Sequence, residues 1–184
     1  LNAPQRLTEQ LSMLGRSRVG AGAWPVAAGV DRVVRKTGGA YRVALCAPLR
    51  GPEGLWGPSC LAAAELAQAE LNRGRGIGGR PCELRVVDSS SEAAGVGSQL
   101  AQLVERGEID AIVGMCISSV RQRIVASVQG AVPFVYTCLY EGGDHSPGLF
   151  AIGETAARQL PPSIAWLAQH RRVRRWLLLG NDYI

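Results

Sequence analysis

The chain has 184 residues, 47% of them hydrophobic, which is enough apolar material to bury a core and too much for a disordered segment. Lys+Arg number 20 against 15 Asp+Glu, for a formal charge of +5. Lys36 is the only lysine, and the arginines are spread along an Ala/Gly-rich chain without interleaved aromatics, so the excess argues against a nucleic-acid surface. Five cysteines (Cys46, Cys60, Cys82, Cys116, Cys138) show neither CxxC spacing nor a companion histidine, so neither a zinc site nor a disulfide framework is indicated. An odd count suits a reducing compartment. No apolar run approaches membrane-spanning length, and "LNAPQRLTEQ" is polar where a signal peptide is apolar. The cytoplasm is therefore expected if Leu1 is the native start, and the periplasm or an extracellular lipoprotein otherwise.

Residues 1–40 divide at "GAGAWP". Leu7, Leu11 and Leu14 predict one short amphipathic helix and Val30, Val33 and Val34 a second, read as an appended arm or linker. From Tyr41 the pattern becomes regular. "YRVALCAPL" reads as a buried strand, the Gly/Pro-rich "RGPEGLWGP" as a loop, and Cys60, Ala64, Ala67 and Leu71 as the apolar stripe of a helix that ends at Gly74. Glu65, Gln68 and Asn72 are expected on its outer face. "CELRVVD" is a second strand, and Ser89 with Glu92 forms a capping box before a helix carrying Val96, Leu100 and Leu103, weakened by Gly95 and Gly97.

The third strand lies in "DAIVGMCISS", where Ala111 to Gly114 open through a short loop into a helix patterned by Val120, Ile124 and Val128 and closed by Gly130. "VPFVYTC" and "LFAIG" read as a fourth and fifth strand, a helix is expected to begin near Pro162, and "WLLLG" reads as a sixth strand. Strands alternating with helices in this way give right-handed crossovers and a doubly wound parallel sheet, an α/β fold.

Ser118 and Ser119 stand where the third strand opens into a helix. Either one caps the helix, or the pair joins the free N–H groups there in holding a carbonyl or anion outside the carboxyl ends of the strands. Gly74, Gly76 and Gly79 spell GxGxxG but follow a helix and precede a strand, the reverse of the nucleotide-binding order, and so read as a turn. Glu141 and Asp144 in "YEGGD" have no adjacent nucleophile or positioned histidine and read as turn chemistry. His145 and His170 read as surface residues, and "RRVRR" at 171–175 as a solvated turn. The loops "PLRGPEG", "MCISS", "YTCLYEGG" and "GNDYI" all fall at carboxyl ends of strands and suit a small polar or amphipathic ligand, with Gly51 and Gly54 letting the first loop approach.

The segments "LAQAELNRGRGIGGRPCELRVVD", "IVGMCISS", "VYTCLYEG" and "GNDYI" make Tyr41 to Ile184 resemble the type I periplasmic-binding-protein superfamily, in its branch of branched-chain amino acid, urea and short-chain amide receptors. Within it, the "YEG", "SP" and "DYI" elements are similar to the cytoplasmic amide sensors of bacterial amidase operons. The resemblance implies two α/β lobes that close on a ligand, of which residues 41–153 form the first and 154–184 begin the second. It puts Ser118 at a ligand-binding serine, Cys116 where the amide sensors carry an aromatic, Cys138 where they carry a threonine, and Tyr183 at a cleft tyrosine. The two cysteines depart from that pattern, so amide specificity does not transfer. Ser118, Ser119, Cys116, Tyr136, Cys138 and Tyr183 are thus the expected ligand-binding residues. The function implied is non-enzymatic binding of a short amide, urea or a branched-chain amino acid, without cofactor or metal. The protein would act as a sensor with an antiterminator-type partner or as the binding component of an ABC transporter with a permease, and a homodimer is a candidate assembly. A nucleotide-dependent enzyme on a doubly wound sheet is the alternative of another class.

Overall fold

The structure, a computed structural model, describes residues 38–90, 92–171, 173–177 and 179. The expected arm at 1–37 and Tyr183 lie outside the described residues. Five strands, β1 (Tyr41–Ala47), β2 (Cys82–Asp88), β3 (Ala111–Gly114), β4 (Phe134–Tyr136) and β5 (Leu149–Ala151), form one parallel sheet in the order β2-β1-β3-β4-β5. The helices are α1 (Gly57–Arg73), α2 (Ala93–Glu105), α3 (Ser118–Val128) and α4 (Ala156–His170), with a 3-10 turn at Pro52–Trp56 before α1. This is an α/β, doubly wound parallel sheet, with the order reversing direction between β1 and β3.

Register explains which residues make the core. Ala44 pairs with Ile112 and Ile112 with Phe134, while Cys46 pairs with both Val87 and Gly114, and Gly114 with Tyr136. Because successive strand residues alternate faces, all of these point to one side. There they bury against Val96, Leu100 and Leu103 of α2 and Val120, Ile124 and Val128 of α3. The apolar positions read at helical spacing in these two helices are the ones that fill this layer. Gly97, read as a weakness of α2, is what brings the two helices together: a Cβ there would lie 2.7 Å from Ser127 Oγ and 3.0 Å from the Arg123 carbonyl oxygen. The GxGxxG segment is a turn before β2, at the amino end of the sheet. There Ile77 and Arg80 exchange backbone hydrogen bonds, and a Cβ on Gly76 would strike the Arg80 carbonyl at 1.9 Å.

Several local expectations are corrected. Helix α1 turns Gln68 and Asn72 toward β2: both side-chain amides donate to the Cys82 carbonyl, and Asn72 Oδ1 accepts the Cys82 N–H, while Ala67 and Leu71 of the expected apolar stripe are exposed. An apolar count misses this because these amides satisfy a strand's own polar atoms. The Ser89/Glu92 capping box does not form, since Glu92 itself is the N-cap of α2 and the Ser89 hydroxyl donates to the Met115 carbonyl. Helix α4 starts at Ala156, not near Pro162, because the extended Thr155 opens the helix by accepting N–H bonds from Arg158 and Gln159, and Pro161 and Pro162 fall inside it. The expected sixth strand is not formed at Trp176, Leu177 or Leu179, which are exposed and have no ladder partner among the described residues.

Candidate functional site

Where the strand order reverses, the chains leaving β1 and β3 diverge and leave a crevice at the carboxyl ends. A cavity of about 440 Å³ occupies it, in the size range of small-molecule sites. Pro48 follows β1, Glu53 and Trp56 come from the 3-10 turn, Ser89 and Ser90 follow β2, Met115 to Val120 run from β3 into α3, and Tyr136, Cys138 and Leu139 come from β4 and its loop. Of the expected residues, Cys116, Ser118, Ser119, Tyr136 and Cys138 are all on this wall. Ser89, Ser90, Glu92 and Trp56 also line it without having been expected at the site, Ser89 and Glu92 having been read only as a capping box, although "DSSSE" repeats the strand-to-helix arrangement that drew attention to "MCISS". Gly51 and Gly54 do not line the cavity; Gly57 does the close packing of that loop, where a Cβ would lie 2.5 Å from the Pro48 carbonyl.

Neither serine caps α3 through its side chain, for Ile117 is the N-cap and Ser118 the first helical residue. The Ser118 hydroxyl, 3% exposed, donates to Glu141 Oε1 at 2.5 Å. Glu141 Oε2 in turn lies 3.0 Å from Arg121 Nη1, and Arg121 Nε is 3.6 Å from Asp144 Oδ2. The Arg121 guanidinium is buried beside the rings of Tyr136 and Tyr140, 5.1 and 5.6 Å from their centres, with its Nε lacking a hydrogen-bond partner. Glu141 and Asp144 therefore are more than turn residues: they neutralise a buried cation immediately behind the cavity wall. Composition hid Arg121, since it sits at a helix position that reads as solvent-facing.

Tyr136 is fully buried, donates its hydroxyl proton to the Cys116 carbonyl at 2.8 Å, and presents its ring to the cavity. Burial raises its pKa well above the ordinary tyrosine value, with the neighbouring Cys138 and Cys116 adding to the effect. The Cys116 thiol is driven far up by its hydrogen bond with Cys46 and by burial, and burial also raises Cys138, so both are neutral thiols at physiological pH. Burial disfavours the Glu141 anion, but hydrogen bonds from Ser118 and its own backbone, together with Arg121, override it and hold the carboxyl below its usual value. Asp88, at the end of β2, behaves alike: burial opposes its charge, and the N–H groups of Ser90 and Leu49 with the Arg50 side chain and Ser90 hydroxyl hold it far below the carboxylate range. No cluster of three or more histidine, cysteine or acidic side chains able to hold a metal occurs among the described residues.

The cavity therefore offers a helix start, hydroxyl oxygens, neutral thiols and an aromatic wall. Residues 40–184 match a family model described as periplasmic binding protein. The chain belongs to that family. Its fold is shared with an ABC transporter substrate-binding protein from Sphaerobacter thermophilus at 23% identity and a TM-score of 0.55, over 72% of this chain and 37% of that one. It is also similar to a branched-chain amino acid transporter substrate-binding protein from Streptococcus pneumoniae solved with isoleucine, at 17% identity and a TM-score of 0.46, over 73% of this chain and 55% of that one. The chain thus spans between about a third and just over half of the length of those two structures. No helix among the described residues is long and apolar enough to cross a membrane.

Proposed function

We propose that the chain is the first lobe (41–153) and the beginning of the second (154–184) of a non-enzymatic receptor that takes a short amide, urea or a branched-chain amino acid into this cavity. The observation that carries the reading is the position of the cavity, at the carboxyl ends of the strands in a member of the periplasmic binding protein family. Ser118 and Ser119 hold the ligand's polar end together with the first N–H groups of α3, which have no intrahelical partner. Tyr136, Cys116 and Cys138 supply the apolar and thiol side. Trp56, Ile117 and Leu139, all exposed at the mouth, are the surface against which a second wall closes, with Tyr183 contributed from beyond the described residues.

The family's receptors favour an exported protein working with an ABC permease over a cytoplasmic sensor working with an antiterminator. Turnover finds no support in the neutral thiols or in hydroxyls bound to carboxylates and carbonyls. The test is equilibrium titration of the full-length protein with acetamide, urea and leucine. One class binds, and Ser118→Ala weakens it about tenfold, the cost of one hydrogen bond to a polar ligand. A Ser118→Ala protein that binds as tightly as the parent removes Ser118 from the site.

A further inference from the structure

The hydroxyl protons around the cavity are already spoken for. Ser118 gives its proton to Glu141 at 2.5 Å, Tyr136 to the Cys116 carbonyl at 2.8 Å, and Ser89 to the Met115 carbonyl at 3.3 Å. The Ser90 hydroxyl accepts the Arg50 N–H and bonds the Asp88 carboxylate. An ionised carboxylate and a carbonyl are acceptors only, so each of these hydroxyls turns a lone pair, not a proton, toward the ligand. The carboxylates on the wall, Glu53 and Glu92, are acceptors as well. Ser119 alone, among the described lining residues, keeps an uncommitted hydroxyl proton. Against this stand the free N–H groups of the first turn of α3.

From this arrangement we infer that Glu141, clamped by the buried Arg121, determines ligand specificity by fixing Ser118 as a hydrogen-bond acceptor, so that the preferred ligand carries N–H donors beside its carbonyl, as urea and primary amides do, and a carboxylate with no N–H donor beside it is disfavoured. The inference rests on the receptor reading above. The chemistry is directional: a primary amide sets its C=O to the helix N–H groups and its NH₂ to Ser118 Oγ, whereas a carboxylate of the same shape sets an oxygen against that oxygen. Arg121 Nη1 lies 3.5 Å from Ser118 Oγ and the Tyr136 side chain is also within its hydrogen-bonding reach, so the ligand's N–H competes for the remaining acceptor direction. The side chain of Arg121 is fixed by burial between two rings and by two carboxylates, so Glu141 cannot easily turn away to release Ser118.

The test compares isobutyramide with isobutyrate, which differ only at the polar end, by calorimetric titration of the full-length protein. The parent prefers the amide by about tenfold or more, the worth of one good hydrogen bond against an unpaired acceptor. In Glu141→Gln the Arg121 donor claims the amide oxygen of Gln and turns its NH₂ to Ser118; the Ser118 proton is released toward the cavity, and the preference shrinks to about threefold or less. If that variant fails to fold, Ser118→Ala serves, because it leaves the Arg121–Glu141 ion pair intact; it weakens isobutyramide and leaves isobutyrate unchanged. Equal binding of the two probes by the parent, a preference untouched by Glu141→Gln, or an equal loss of both in Ser118→Ala overturns the inference while leaving the receptor reading standing. Binding of neither probe, with urea and leucine also silent, overturns both.

Discussion

The Ser118 hydroxyl proton is held by Glu141, 23 positions away in sequence, and in the reading proposed above that proton decides what the cavity recognises. The same carboxylate leaves a mark on stability. Glu141 and Asp88 both have folded values below their unfolded ones, so the unfolded chain binds protons first as the solution is acidified. Their contribution is complete above the ordinary carboxylate range and is lost as pH falls through the lowered folded values. Thermal unfolding followed by circular dichroism is therefore expected to show a midpoint that drops steadily from about pH 5 toward pH 2. Asp88→Asn, which removes the more strongly shifted group, flattens that limb; an acid limb of unchanged steepness would show that Asp88 carries none of it. What sequence reading found at this scale were residues exposed to the cavity by local order: Cys116, Ser118, Ser119, Tyr136 and Cys138 are at or just beyond strand ends. What it missed was long-range charge. Arg121 reads as one more surface arginine until the "YEGGD" loop brings Glu141 and Asp144 over it.

Between elements, the determining contact is that of α2 on α3. Two glycines in α2 carry the same penalty in any propensity scale and have opposite roles in the structure: nothing lies within 4 Å of a Cβ built on Gly95, whereas one on Gly97 meets α3. Gly95→Ala is expected to stabilise by about 1 kcal/mol through helix propensity alone. Gly97→Ala gains the same propensity but must displace the Arg123 backbone, an overpacking cost of about 1–3 kcal/mol, so its net effect is zero to destabilising by about 2 kcal/mol. Urea denaturation of the two variants checks the difference; a Gly97→Ala protein as stable as Gly95→Ala would mean that the helices can separate at no cost. The order and type of the elements were legible because burial imposes its period on Val96, Leu100 and Leu103, on Val120, Ile124 and Val128, and on the strands. The end of α1 at Gly74 was legible too, but the start of α4 was not, because it depends on a capping group. Thr155 opens α4 through its carbonyl, a feature invisible in side-chain pattern, and Pro162 drew the expected start to the wrong place.

For the molecule as a whole, the strand order β2-β1-β3-β4-β5 follows from right-handed crossovers, and the reversal between β1 and β3 puts the cavity where family membership predicts a ligand. The match of residues 40–184 to the family agrees with the resemblance read from "IVGMCISS" and its companion segments. The amide-sensing branch is a finer distinction that rests on side chains around the cavity, and two of those are cysteines here. Strand "WLLLG" could not be judged by its apolar character, since a strand is defined by the neighbour it pairs with and Trp176, Leu177 and Leu179 meet none among the described residues. The measurement that tests the central claim most directly is a thermal-shift titration of the full-length protein with acetamide, isobutyramide, urea, leucine and isoleucine. A ligand held in this cavity adds about 2.7 kcal/mol at one hundred times its dissociation constant, a rise in midpoint of several degrees, confined to one chemical class and reduced in Ser118→Ala. A cooperative melt whose midpoint none of these compounds moves would contradict a receptor for amides, urea or branched-chain amino acids.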